Sequence, residues 1–382
     1  MPSSGPAYVD CNATTPLDPK VRSVVLKYLE EEFGNDGSRT HEFGTRAKQA
    51  VQHARDLVAA AVDASRDEVL FTSGATESNN LAILGLREHA VSVGRKHIVC
   101  SAIEHKAVLE PIGHLGEQGF LVSHVMPDED GVITPEAVKA AITPETVLVS
   151  VMHVNNETGA IQPIREIAAA LGSHPAFFHV DAAQSFGKLD DDLKSKRIDL
   201  ISISGHKLYA PKGIGALVSR RRGYDRIPLK PLQYGGGQER GLRPGTVPVY
   251  LAAALGRAIE VSIVERTARR KRCEAIRAAA IKAFRTVGVV ETVPLEKSLY
   301  TTINVSFPGI DSEALMLALK DHLAFSNGSA CTSSSYTPSH VLKAMGVPSQ
   351  RASECVRMSW CHLTPDVDWV GIAKVIAGLQ GK

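Results

Sequence analysis

The stretch Ile198-Asp199-Leu200-Ile201-Ser202-Ile203-Ser204-Gly205-His206-Lys207 opens as an apolar, β-branched run and closes on small and polar residues with a lysine at the exit. The run reads as a buried strand. A lysine at its end sits at the edge of a core, where desolvation and neighbouring cations lower an amine's pKa and ready it for Schiff-base chemistry. Taken alone, a lysine after a strand is most often a solvated side chain. Its companions decide the reading.

The same pattern, an apolar run followed by polar residues, recurs on both sides. Strands are expected at 68–72, 97–100, 147–152, 176–180 and 214–218, and helices at 21–33, 45–62 and 79–89. Strands alternating with helices indicate a mainly parallel sheet covered on both faces. A Gly-rich segment, Tyr234–Gly245, precedes a long helical stretch at about 249–287. A second, smaller α/β pattern then begins, with strands at 301–307, near 323–325 and at 355–360, and helices at 312–321, 339–345 and from 366. The expected organisation is a large domain over 18–250 with a mainly parallel seven-stranded sheet, and a small C-terminal α/β domain over 251–382 joined by residues 1–17.

Composition excludes several classes. At 382 residues with a formal net charge of +2, the chain supports a large core and shows no basic block that would mark direct nucleic-acid binding. The short arginine runs at 220–222 and 269–272 are expected to be solvated faces. No apolar run approaches the roughly 18 residues of a membrane span, and the N-terminus lacks a secretory pattern, so a cytoplasmic location is expected. The six cysteines, at positions 11, 100, 273, 331, 355 and 361, form no CxxC pair, and the fourteen histidines form no HxxxH pair. No metal site is expected.

Four groups at strand exits meet the needs of one cofactor, pyridoxal 5′-phosphate: an amine, an anion for the ring nitrogen, a phosphate cradle and a flat group against the ring. Lys207 supplies the amine and Asp181 the anion. Ser73-Gly74-Ala75-Thr76, ahead of a helix, offers backbone N–H groups to a phosphate, with Ser204 and His206 as further donors. His105 is placed to lie over the ring and handle protons. Asn156 and Gln184 offer amides to a substrate carboxylate or the ring oxygen. Each has a plainer reading, as a helix start, a cap or a structural histidine. A second feature is Ser326-Asn327-Gly328-Ser329-Ala330-Cys331-Thr332-Ser333-Ser334-Ser335, almost bare of packing side chains. A free thiol in such a loop carries an oxidation cost, and about ten residues reach up to ~30 Å when extended.

These residues resemble a known family, the cysteine desulfurases of the NifS/IscS type, within the class V aminotransferases of PLP fold type I. The resemblance rests on ATTPLDP (13–19), TSGATESNNLAI (72–83), EHKAVL (104–109), HVNNETG (153–159), HVDAAQSFGKL (179–189), SGHKLYAPKGIGAL (204–217), GGGQERGLRPGTVPV (235–249) and SNGSACTSSSYTPSHVLKAMG (326–346). It implies Lys207 as the Schiff-base lysine, Asp181 as the pyridinium partner and His105 as the stacking histidine. Ala75, Thr76, Ser204 and His206 become phosphate contacts, and Gln184 sits beside the ring hydroxyl. Asn156 and Arg357 become ligands of the substrate carboxylate. Thr246 reaches the phosphate of a second subunit, which implies a homodimer with shared sites. Cys331, in a loop at about 325–337, becomes the nucleophile that takes sulfur from L-cysteine as a persulfide, for a sulfur-acceptor protein serving iron–sulfur assembly, tRNA thiolation or DNA phosphorothioation. Selenocysteine lyase and a catalytically silent scaffold are the alternatives. Three departures stand out: Asn35-Asp36-Gly37-Ser38 in place of Asn-Pro-x-Ser, a cysteine in Asp10-Cys11-Asn12, and Arg357-Met358-Ser359-Trp360-Cys361 in place of Arg-Phe-Ser-Leu-Gly.

Overall fold

The architecture was taken from a computed structural model that describes residues 5–327 and 339–381. The strands are, in chain order, β1 (Ala7–Tyr8), β2 (Val69–Thr72), β3 (His97–Ser101), β4 (Leu121–Val125), β5 (Thr146–Ser150), β6 (Phe177–Asp181), β7 (Leu200–Ser204), β8 (Gly215–Ser219), β9 (Val290–Glu291), β10 (Thr302–Ser306), β11 (Leu323–Ala324) and β12 (Cys355–Ser359). Seven of them form one sheet in the order β2-β8-β7-β6-β5-β3-β4. All run parallel except β8, which is antiparallel to both β2 and β7.

The opening strand shows why the sheet is covered twice. Successive side chains of a strand point to opposite faces. Ile201 and Ile203 enter one apolar cluster with Val149, Phe178 and Ala216, while Leu200 enters another with Leu70, Leu148 and Leu217. A strand apolar on both sides requires a layer over each face, and helices supply both. The edge strand β4 was not among the expected strands; Leu121 is 64% exposed there and only Val125 is buried.

Residues beyond the sheet gather around a separate apolar cluster that includes Phe284, Phe307, Trp360 and Trp369. Its three-stranded sheet, in the order β12-β10-β9, is antiparallel. The N-terminal segment belongs to this neighbourhood: β1 pairs with β11, Asp10 bridges to Ser359, and Val9 lies in the cluster. The 36-residue helix Val249–Phe284 runs from one core into the other. Its first turns bury Leu251, Leu255 and Ile259 beside the large sheet, and its last turns bury Ile276, Ile281 and Phe284 in the small cluster. Among the described residues no helix is long and apolar enough to cross a membrane.

Two expectations need correcting. Arg220 is 3% exposed rather than solvated, and its guanidinium donates to the carbonyls of Leu193 (2.8 Å) and Ile198 (3.1 Å) as well as those of Ser195 and Val62. It satisfies chain ends that converge beside β8. Arg269 is likewise occupied, pairing with Asp18 at 2.5 Å and Glu265 at 2.8 Å over the Tyr209 ring. Composition alone does not separate such anchors from solvated arginines.

The Gly-rich segment is also fixed from within. Glu239 accepts both arms of the Arg55 fork at 2.7 Å and the Phe71 N–H at 2.8 Å, with both side chains buried. Removing one partner of such a pair leaves an uncompensated buried charge. Glu239→Ala is therefore expected to cost about 3–5 kcal/mol, read as a fall in the urea midpoint at unchanged slope; an unchanged midpoint would mean that water reaches Arg55.

Candidate active site

The parallel strands β2, β3, β5, β6 and β7 all present their carboxyl ends to one side, where open α/β sheets bind ligands. A cavity of about 480 Å³ lies there. It is lined by ten of the expected residues: Ala75, Thr76, His105, Asn156, Asp181, Gln184, Ser204, His206, Lys207 and Arg357. Thr246 is exposed and does not line it. Cys331 lies outside the described residues.

Lys207 closes a short turn, Gly205–Lys207, that leaves β7. The turn needs Gly205 for its close approach to the return strand: a Cβ there would meet the Ile214 carbonyl oxygen at 2.9 Å. The Lys207 ammonium donates to the carbonyls of Asn12 and Ala13, the latter at 2.7 Å. Thr15 ties the same segment to the His206 carbonyl at 2.9 Å. The N-terminal segment thus clamps the lysine turn from above.

Asp181 ends β6, next to β7 in the sheet, with Asp181 opposite Ser202. Its carboxylate is oriented by two donors, Asn79 Nδ2 at 2.8 Å and the Ala183 N–H at 2.9 Å. Each oxygen keeps lone-pair capacity for a further donor. Across the cavity the helix Ala75–Leu84 begins at Gly74 without a side-chain cap. Its first N–H groups are open to an anion, and the Ser204 hydroxyl lies 4.0 Å from where a Gly74 Cβ would stand. Gly215 permits this closeness, since a Cβ on it would meet Gly74 Cα at 2.6 Å.

His105 caps the helix Lys106–Glu117, its Nδ1 accepting the Ala107 N–H at 3.0 Å. In the neutral ring Nε2 therefore carries the proton. Burial holds this imidazole below its ordinary value, with Asp181 opposing that shift. Behind it the fully buried Glu104 accepts from Ser101 and from the Met152 N–H at 2.6 Å, and burial pushes its carboxyl up to about 8. Glu104 is thus a neutral acid that joins the ends of β3 and β5.

Arg357, on β12, is 5% exposed. It donates to the Asn156 carbonyl at 3.0 Å, to Ser326 Oγ at 2.9 Å and to Asp10 Oδ1 at 2.6 Å. Sequence reasoning missed this Asp10 carboxylate, and it missed Asn79 and Asn12. Asn12 accepts from both Lys207 and Gln184 through its carbonyl and donates to the Asn156 carbonyl at 3.1 Å. Asn12 directly precedes ATTPLDP and Asn79 lies inside TSGATESNNLAI, and an amide in or beside a motif was the available signal.

Three imidazoles in and near the site are held down to about 4, chiefly by burial: His179, His206 and His362. An unfolded imidazole titrates near about 6.5. Between those values the unfolded chain binds more protons, so stability falls as pH drops through this window. The fully buried His179 alone is expected to cost roughly 2 kcal/mol by about pH 5. Urea midpoints measured downward from about pH 7 should fall steadily; a flat profile to about pH 5 would contradict the assignment.

The match to the family described as aminotransferase class-V covers residues 7–368. The chain belongs to the class-V aminotransferases. It is 44% identical over 378 residues to the cysteine desulfurase IscS of Dechloromonas aromatica (strain RCB), spanning 99% of this chain and 93% of that one. Among solved structures it resembles a NifS-like protein (TM-score 0.90, 34% identity, 98% of this chain and 99% of that one). It also resembles DndA from Streptomyces lividans (TM-score 0.82, 47% identity, 91% of this chain and 98% of that one). Class-V aminotransferases of this fold depend on pyridoxal phosphate. The residues present fit that group: an uncapped helix start for the phosphate, an oriented carboxylate for the ring nitrogen and an amine between them, in a cavity of suitable size.

Proposed function

We propose that the chain is a pyridoxal-phosphate-dependent cysteine desulfurase that removes sulfur from L-cysteine, releases L-alanine and retains the sulfur as a persulfide on Cys331. The convergence of Lys207, Asp181, His105 and Arg357 on one cavity carries this reading. Bound pyridoxal phosphate supplies an electron sink for the pair released when the amino acid loses its α-proton. Lys207 Nζ would hold the cofactor and carry the Cα proton. Asp181 keeps the ring nitrogen protonated. Ala75, Thr76, Ser204 and His206 would hold the phosphate, and Gln184 would serve the ring oxygen.

Arg357 and Asn156 orient the substrate carboxylate, which has to share the guanidinium with Asp10. His105 Nε2 exchanges a proton with the reacting thiol. The Cys331 thiolate attacks the substrate sulfur: an S–S bond forms, the Cβ–S bond breaks, and a proton on Cβ completes alanine. Ser326, before the stretch that contains Cys331, bonds to Arg357, and Ser339, after it, bonds to the buried Glu157 at 2.5 Å. Both flanks of that stretch are thus anchored, one of them at the cavity wall, which supports delivery of the thiol there.

Residues 18–250 form the cofactor unit in this reading, and residues 1–17 with 251–382 the smaller unit, with the helix Val249–Phe284 shared between them. Thr246, exposed and off the cavity, serves the phosphate of a second copy in a homodimer. The enzyme works in the cytoplasm, and an acceptor protein carries the sulfur onward to iron–sulfur assembly, tRNA thiolation or DNA phosphorothioation. The test is holoenzyme supplied with L-cysteine and a thiol reductant. Alanine and sulfide are expected in equal amounts, faster than alanine from L-selenocysteine. Absence of alanine would end the desulfurase reading, and a preference for selenocysteine would replace it with a lyase.

A further inference from the structure

Two of the positions where this chain departs from the pattern it otherwise follows are Cys11 and Cys361. They stand near opposite ends of the chain, yet they meet. Both pack with Tyr209 in one small cluster, 5% and 1% exposed, and both are free thiols. The backbone enforces the meeting. Asp10 bridges to Ser359 and the Cys11 N–H donates to the Ser359 carbonyl at 3.0 Å, which sets Cys11 beside the exit of β12. Cys361 is held by Thr364, whose Oγ1 accepts its N–H at 3.0 Å and whose hydroxyl donates to its sulfur at 3.8 Å.

The surroundings separate the two thiols by role. The neighbouring Cys11 thiol, aided by donors of Leu363 and Thr364, lowers Cys361 against the opposing effect of burial. The Cys361 thiol, together with burial, raises Cys11. The two thiols are thereby driven in opposite directions, Cys361 toward the thiolate and Cys11 toward the thiol, the order of an attacking and a resolving cysteine. Lys188 stands close by, donating to the Gln184 and Lys207 carbonyls, and desolvation lowers its amine to about 8. A cavity of about 20 Å³, lined by Lys188, Tyr209 and Cys273, adjoins the cluster at the Tyr209 ring.

We propose that Cys11 and Cys361 form a second reactive site in this chain, a dithiol that a hydroperoxide closes to a disulfide and a small dithiol reopens. The Cys361 thiolate attacks one oxygen of hydrogen peroxide and the O–O bond breaks. Cys361 becomes a sulfenic acid, and the other oxygen leaves as hydroxide, which a proton converts to water. The Cys11 sulfur then attacks the Cys361 sulfur. The S–O bond breaks, and the departing hydroxide takes the Cys11 proton as a second water. Two thiols lose two electrons in total, and one peroxide is reduced to two waters. The bond joins the N-terminal segment to the exit of β12. Its neighbours on either side, Asp10 and Asn12, are those that hold Arg357 and Lys207.

The test uses wild-type holoenzyme treated with stoichiometric hydrogen peroxide, then alkylated under denaturing conditions, digested and mapped by mass spectrometry. Peptides bearing Cys11 and Cys361 are expected to be joined in most chains, with loss of free thiol at both positions, and to separate after dithiothreitol. The variant Cys361→Gly is expected to leave Cys11 fully alkylated after the same treatment. Full alkylation of Cys11 and Cys361 in peroxide-treated wild type would overturn the proposal. Joining of Cys11 to Cys331 or Cys273 instead would do the same. Neither readout depends on turnover, so the proposal and the desulfurase reading fail separately.

Discussion

Lys207→Ala is expected to lose the cofactor's visible absorption band and to lower turnover of L-cysteine by about a thousandfold or more. The cavity offers a second amine, Lys212. The local structure favours Lys207. It follows β7 by a tight turn, and β7 is the strand that pairs with the one bearing Asp181. Its ammonium is already held by the Asn12 and Ala13 carbonyls at the cavity wall. Alanine removes the cofactor's covalent anchor and the base for the α-proton together, so both binding and chemistry suffer. The fold should survive, because the bonds to the Asn12 and Ala13 carbonyls lie at a cavity edge. A normal band in Lys207→Ala, together with a lost band in Lys212→Ala, would move the anchor to Lys212.

Cys331→Ser is expected to bind cofactor and L-cysteine with the parent's spectral change, yet form alanine below detection. A hydroxyl has the shape of the thiol but remains protonated at neutral pH, and oxygen does not accept sulfur as a thiolate does. The carbon chemistry belongs to Lys207 and the sulfur chemistry to Cys331, so the two variants separate the halves of the reaction. Alanine and sulfide at the parent rate from Cys331→Ser would remove Cys331 from its role and leave elimination without a protein nucleophile. Labelled sulfur retained on wild type and absent from the variant would be the positive counterpart.

The lines of the sheet were legible because strands buried on both faces write long apolar runs. The strand that carries the lysine was expected at 198–203 and is Leu200–Ser204, a shift within the ordinary uncertainty of boundaries. The cavity was legible for a related reason: its polar residues follow those strands directly. Contacts between distant segments left no such trace. The carboxylate of Asp10 lies on Arg357, and the amide of Asn79 holds Asp181. Each pair joins residues far apart in the chain, and neither partner is unusual in its own neighbourhood. Arg220 was misread because a guanidinium that gathers carbonyls has the same one-letter signature as one in water. The edge strand β4 was passed over although Leu121, Val122 and Val125 give it as many apolar residues as its neighbour β3.

The N-terminal clamp bears on how the protein comes to exist. Asp10 and Cys11 find their backbone partner in Ser359, and Ala7 finds its own in His322. These early residues thus wait for β12, the last of the described strands, before they settle. Contacts of such long separation form late. The large sheet can assemble during synthesis, with the lysine turn in place but its clamp unfastened. Competence to retain the cofactor should then arise only once β12 has been made, and stalled chains lacking β12 should capture it poorly even with every residue of the large sheet present.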